Sequence, residues 1–309
     1  MDKKLFKVNL PPDRVLFSLK DSTINLKQSQ SGQTLSTKII KVQCVNLGTL
    51  ALTDKGEVHY AGDKRYGQVP ISDEEEKLEV STKANETKPI FTQIKLIQPV
   101  KDIACGGDHI FAVTIHDRVF GWGKNDHAQL GLGILQDYMN KPQEVMTFRD
   151  KAINKIVCGL NYSAVITNSN RLMVAGSLEY GKLGLGTGHI DEEIKEFTYI
   201  SLRSVKDVSC GPTHMLAIID SSMTNESGAF SCGNNSFGQL GTDEIASSFL
   251  MKEIQLARGD KLAQVCAGLD FSVGLSKIAN KVYVWGNVKY LCAKSRETIL
   301  KAPVLVKDL

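Results

Sequence analysis

The chain has 309 residues, 42% of them hydrophobic, with 37 Lys and Arg against 34 Asp and Glu for a formal charge of +3, a composition that can bury a substantial core and is too apolar for a disordered chain. Both charge signs are interspersed, without the clustered basic stripe that a phosphate backbone requires, so direct nucleic-acid binding is not expected. No stretch approaches the roughly eighteen apolar residues of a membrane span, and the N-terminal MDKKLFKVNLPPDRVLF lacks the apolar run of a secretory signal; the expectation is a cytoplasmic or nuclear protein whose seven cysteines stay reduced.

Read from the N-terminus, one template recurs. A weak copy, VNLPPDRVLFSL (8–19), is followed by VQCVNLGTLALT (42–53), IACGGDHIFAVT (103–114), IVCGLNYSAVIT (156–167), VSCGPTHMLAII (208–219) and VCAGLDFSVGLS (265–276). After each of the last five comes a short strand ending in Gly: VHYAG (58–62), VFGWG (119–123), LMVAG (172–176), FSCG (230–233) and VYVWG (282–286). Gly56, Asp117, Asn170, Gly228 and Asn280 stand just before these strands. They are the residue types that best tolerate positive φ, which a tight hairpin demands, so each unit is predicted to contain a β-hairpin.

A glycine-punctuated loop follows: YGQV (66–69), AQLGLG (128–133), YGKLGLG (180–186) and FGQLG (237–241), degenerating to YLCA (290–293). The unit length of roughly 50 to 60 residues suits three or four strands and exceeds the period of helical repeats. An isolated sheet of that size leaves edges and one apolar face unprotected, and radial stacking removes both problems. The expected fold is therefore all-β, one β-propeller domain over 1–309 with six to seven blades of short antiparallel sheets. Its repeats fall at about 5–37, 38–98, 99–151, 152–203, 204–260 and 261–309, with an acidic insertion over 70–90. The apolar first strand of each unit is expected innermost and buried. The final APVLVKDL falls where a further unit would begin.

The sequence of elements, CG-x-x-H-x-x-A-x-T, then a hairpin, then aromatic-Trp-Gly, then GQLGLG, resembles the regulator of chromosome condensation repeat across about residues 5 to 306. The resemblance implies a propeller, seven-bladed in type members, and a protein-binding role. In members that act as exchange factors for the small GTPase Ran, acidic and histidine side chains of the short loops face the GTPase. By that resemblance Asp108, His109, His214 and Asp270 match, whereas Asn161 and Thr213 do not.

Each candidate also has a structural reading. His109 and His214 share a template position filled elsewhere by Arg14, Gly48, Tyr162 and Phe271, a variety that suits packing or hydrogen bonding near the turn. Asp126 and His127 are either a solvated loop pair or a partner contact; no Ser or Cys is placed by sequence to complete a triad with them. Cys44, Cys105, Cys158 and Cys210 recur at one position, with Cys266 shifted by one, and read as small buried thiols at the strand core, since no CxxC spacing of a zinc site is present. GLGTGH (184–189) is not a dinucleotide or Walker loop. The long segment 63–98 carries Asp73, Glu74, Glu75 and Glu76, either a solvated loop or a projection that meets a basic partner, and the loops 134–151 and 242–259 are long enough to serve similarly. Trp122 and Trp285 read as core-lining.

These features predict a non-enzymatic interaction scaffold or adaptor, with no metal or cofactor, whose partner is another protein: a small GTPase or a subunit of a larger assembly. The alternative is a guanine nucleotide exchange factor for a Ran-like GTPase, which needs no covalent catalysis. An enzyme in the central channel is disfavoured by the apolar and cysteine residues of the inner strands.

Overall fold

The computed structural model describes residues 23–27, 34–69, 91–187, 193–220, 227–256, 259–277, 281–289 and 298–306. Five antiparallel sheets follow one another along the chain. The first consists of β1 (Thr23–Lys27), β2 (Thr34–Val45), β3 (Gly48–Thr53), β4 (Val58–Gly62) and β5 (Thr92–Ile94). The second has β6 (Val100–Cys105), β7 (His109–Thr114), β8 (Val119–Lys124) and β9 (Tyr138–Glu144); the third has β10 (Ile153–Cys158), β11 (Tyr162–Thr167), β12 (Leu172–Ser177) and β13 (Glu193–Tyr199). The fourth has β14 (Val205–Cys210), β15 (His214–Asp220), β16 (Ser227–Gly233) and β17 (Ser248–Ile254), and the fifth β18 (Leu262–Ala267), β19 (Phe271–Ser276), β20 (Val282–Asn287) and β21 (Ile299–Leu305). No described helix is long and apolar enough to cross a membrane.

Every apolar cluster of the core lies between consecutive sheets, because each sheet is a wedge with two apolar faces. Along β7, Ile110 and Ala112 point to the first sheet's cluster while Phe111 and Val113 point to the third sheet's. In β15, Met215 and Ala217 face the third sheet and Leu216 and Ile218 the fifth. The period-2 alternation of a strand thus serves two cores at once, which is why these second strands read as continuous apolar runs. Among the described residues no such cluster joins the fifth sheet to the first, and the described sheets follow one another around an arc. The weak copy at 8–19 lies outside the described residues, as do Asp73, Glu74, Glu75, Glu76 and the rest of 70–90.

Several expectations need correction. The first strands are not the most buried: β10 and β14 alternate between buried and accessible residues, whereas β7 and β11 are buried throughout. The supposed loops 134–151 and 242–259 contain the fourth strands β9 and β17, and the terminal APVL belongs to β21, the fourth strand of the fifth sheet. Positive φ occurs at Gly56 (77°), Asp117 (62°) and Asn170 (56°). Gly228 lacks it, because it already lies inside β16; the turn before it and Asn280 fall outside the described residues.

Buried hydrogen bonds tie each sheet to its neighbour through the glycine loops. The Gln68 carbonyl accepts from the Trp122 indole N–H (3.0 Å) of the next sheet, and the Gln239 carbonyl accepts from both the Trp285 indole (2.9 Å) and the Ser272 hydroxyl (2.8 Å). The Gln129 carbonyl accepts from Ser163 (2.7 Å), and the Lys182 carbonyl takes the Cys232 thiol (3.3 Å). The glutamine side chains close their own loops: Gln68, Gln129 and Gln239 Oε1 accept the backbone N–H of Tyr66, His127 and Phe237 at 2.9–3.0 Å.

Lys182 occupies the fourth of these positions. Its side chain is buried, and its ammonium meets Glu179 at 3.5 Å. An ammonium cannot accept the hydrogen bond that the glutamines accept, and burial lowers its pKa, so the charged form is disfavoured in the folded state. Lys182→Gln is predicted to raise stability by about 1 kcal/mol at pH 7. Because the folded pKa lies below the unfolded 10.5, wild-type stability rises as pH climbs through that window and the advantage of the variant shrinks. Thermal melts at pH 7 and pH 10 check this; an unchanged or lowered midpoint at pH 7 contradicts it.

Candidate functional site

One end of the ring gathers the residues singled out by the sequence. The turns between first and second strands lie there, and each is bonded to the end of its sheet's third strand: Lys124 N–H donates to Asp108 O, Ser177 to Asn161 O, Asn234 to Thr213 O and Asn287 to Asp270 O, at 2.9–3.1 Å. The turns and the glycine loops therefore share one face. Around the axis the turns present Leu160, Pro212 and Leu269, the two leucines being 49% and 68% exposed.

Beneath them is a cavity of about 390 Å³ lined by Cys44, Cys105, Cys158, Cys210, Ala267 and adjacent turn glycines. Four of the recurring cysteines thus line the axial channel; Cys44 and Cys266 are exposed, which corrects the expectation of buried thiols for these two, whereas Cys105, Cys158 and Cys210 are partly buried against the inter-sheet clusters. The reason is the place of the cysteine in its strand: it shares a face with the apolar residue two positions earlier, Ile103 or Ile156, and packs against the same inter-sheet core, but it ends the strand beside the glycine turn, where its other side borders the channel. No group of described His, Cys, Asp or Glu is arranged to hold a metal ion. Burial pushes the Cys105 and Cys210 thiols up to about 12 and raises Cys158 as well, so they stay neutral, polarizable walls.

His109 and His214 are fully buried, so neither presents its ring to a partner. His109 Nε2 lies 2.8 Å from Ser163 Oγ, and His214 Nε2 lies 2.9 Å from Ser272 Oγ. Each pair has the spacing of a Ser–His nucleophile dyad, but the proton inventory runs the other way. The serine hydroxyl donates its single proton to the Gln129 or Gln239 carbonyl, so the imidazole must be the donor through Nε2–H. A serine whose proton is held by a carbonyl is not activated by that histidine. Burial lowers the two histidine pKa values to about 3 and about 4, keeping both rings neutral at physiological pH. In the third sheet Tyr162 takes the template position and donates to His214 O at 2.8 Å.

The acidic candidates are half-buried. Asp108 has a raised pKa, chiefly from burial, opposed by Lys124 and by a hydrogen bond from Asn46. Asp270 accepts from Asn287 Nδ2 at 2.7 Å. Asp126 and His127 are not a free solvated pair: Asp126 pairs with Lys124 (3.1 Å) and accepts from Gln129 (3.2 Å), while His127 Nδ1 lies 3.3 Å from Glu193 of the third sheet. The structure brings Asp108 and Asp126 near one cation, Lys124, and leaves Asp270 on the far side of the arc.

Sequence reasoning missed Ser163 and Ser272, although both follow an aromatic at the start of a second strand, as YSA and FSV. It also missed Asn125 and Asn235, buried two residues after the strand-ending glycine. Their Oδ1 atoms accept from Leu130 and Leu240 N–H, and their Nδ2 atoms donate to Ile134 O and Glu244 O.

The channel thiols give a direct readout. With pKa values near 12 against an ordinary 9.0, Cys105 and Cys210 are predicted to alkylate with iodoacetamide at pH 8 about a thousandfold more slowly than in the unfolded chain. Peptide mass spectrometry measures this, and comparable rates in both states would contradict the assignment.

Comparison with known proteins agrees with this geometry. The family described as "Regulator of chromosome condensation (RCC1) repeat" matches residues 116–166 and 226–275, and a second profile of the same description matches 100–129. The mouse E3 ubiquitin-protein ligase HERC2 is 29% identical over 99% of this chain, which spans only 6% of that protein's length. Human WBSCR16 superposes with a TM-score of 0.71 at 17% identity, covering 90% of this chain and 69% of that one. Prp20p of Saccharomyces cerevisiae superposes with a TM-score of 0.68 at 18% identity, covering 88% and 64%. With its repeated sheets, its stapled glycine loops and these matches, the chain carries regulator of chromosome condensation repeats over residues 100–166 and 226–275 and is built as a β-propeller.

Proposed function

We propose that the chain is a non-enzymatic interaction scaffold that grips a partner protein on the turn-bearing face of the ring. The observation that supports this most is the crown of Leu160, Pro212 and Leu269 that lines the axial cavity, each followed in its turn by a polar residue, Asn161, Thr213 and Asp270. Exposed aliphatic residues held on rigid turns and edged by polar groups have the composition of a protein-binding patch. The turns are fixed by the backbone bonds to the third strands, so little ordering entropy is lost on docking.

The second reading is nucleotide exchange on a Ran-like GTPase. Its support is the half-buried carboxylates of Asp108 and Asp270 on that same face, together with the likeness in fold to Prp20p, whose binding to Gsp1p and histones has been described. In that reading the carboxylates would compete for contacts of the nucleotide's magnesium and phosphates. The cytoplasm or the nucleus is the proposed compartment, and a subunit of a larger assembly is as good a partner as a GTPase.

One experiment separates the two. Immobilised protein and a Leu160→Asp/Leu269→Asp variant are compared for partner capture, and nucleotide release is measured over a panel of small GTPases with wild type and Asp108→Ala. The scaffold reading predicts capture lost in the leucine variant and release rates unchanged by any form. Accelerated release that Asp108→Ala abolishes would replace it with exchange, and capture unaffected by the leucine variant would remove the crown from the account.

A further inference from the structure

Each glycine loop packs against the fourth strand of the next sheet at the outer part of this face, and the grooves so formed can be compared position by position. Between the first and second sheets, Lys124 fills the groove: its ammonium lies 5.1 Å from the centroid of the Tyr66 ring and 3.1 Å from Asp126 Oδ2. Tyr138, opposite Lys124 in the β8–β9 register, forms part of the wall.

Between the second and third sheets the same positions carry different residues. Counting from the strand-ending glycine, Ser177 stands where Lys124 stood and Glu179 where Asp126 stood. Glu193 is opposite Ser177 in the β12–β13 register, where Tyr138 is opposite Lys124. The cation is gone, one carboxylate is retained, and a tyrosine has become a second carboxylate. What remains is a cavity of about 630 Å³ lined by His127, Ser177, Leu178, Glu179, Tyr180, Glu193 and Phe249. Tyr180 and Phe249 are exposed at its edge. Among the described residues Glu179 meets buried Lys182 at 3.5 Å and the Tyr180 side chain, and Glu193 meets His127 at 3.3 Å.

We propose that this groove binds an arginine side chain from an extended segment of a partner protein, which takes the place that Lys124 takes in the neighbouring groove. A guanidinium suits the site because it can pair with two carboxylates through its fork of donors while stacking a flat face on Tyr180 or Phe249. Lys124 on Tyr66 shows that this scaffold holds a cation against an aromatic wall at this position. The proposal rests on the scaffold reading only for the source of the arginine; its surface is distinct from the leucine crown.

The probe is the peptide acetyl-Gly-Ala-Arg-Ala-Gly-amide, titrated into isotope-labelled protein while the backbone amides of Ser177, Tyr180 and Glu193 are followed by NMR, with the Arg→Gln peptide as control. Saturable shifts confined to the groove are expected with the arginine peptide and none with the glutamine peptide. Glu193→Gln is expected to weaken binding about fivefold, the loss of one partly buried charge pair, and Ser177→Lys to abolish it by restoring an internal ammonium. Equal shifts with both peptides, shifts spread over the whole surface, or affinity unchanged in Glu193→Gln would overturn the proposal. Partner capture that depends on Leu160 and Leu269 would survive such a failure, so the two readings fall separately.

Discussion

The structure depends on hydrogen-bonded staples that reach from one sheet into the glycine loop of the sheet before it. A loop that reverses direction through several unusual backbone angles leaves carbonyls pointing inward, and a buried carbonyl without a partner costs on the order of 1–3 kcal/mol. Here the carbonyls of Gln68, Gln129, Lys182 and Gln239 are each capped by a buried donor of the following sheet: Trp122, Ser163, Cys232 and Trp285 with Ser272. The donors differ chemically, yet each completes the loop of its neighbour, so the sheets are joined by polar contacts of defined geometry as well as by apolar wedges. His109 and His214 belong to the same device, since their neutral Nε2–H groups orient the serines that do the capping.

This device explains both what could be read from the residues and what could not. The five copies, their hairpins and their loops were legible because glycine and alternating apolar residues impose backbone requirements visible in one dimension. The fourth strands β9 and β17 were hidden, because the outermost strand of a wedge faces solvent along much of its length and carries little apolar periodicity. The destination of each histidine was also hidden: whether a ring at the turn faces a partner or a serine 54 residues away depends on how the sheets stack. Cys44 and Cys266 were misplaced for the converse reason, since a thiol at the end of an apolar strand looks fully buried until the channel beside the turn is seen.

The same rigidity divides the turn-bearing face into regions with different chemistry. Near the axis the turns expose aliphatic side chains over neutral thiols, an environment suited to apolar contact. Farther out, the loops carry charge, and the variation of single positions from groove to groove sets whether a cation is supplied internally, as by Lys124, or left out, as at Ser177. A repeat architecture makes such differences informative, because equivalent backbone positions provide a reference within one molecule.

Hydrogen exchange at the indole N–H groups of Trp122 and Trp285, followed by NMR in increasing denaturant, tests the staples most directly. If they hold the sheets together, both protons exchange only through global unfolding, with the free energy and denaturant dependence of the whole chain. Exchange at the rate of an exposed indole, or exchange indifferent to denaturant, would show that the loops open independently and that the staples do not hold the ring.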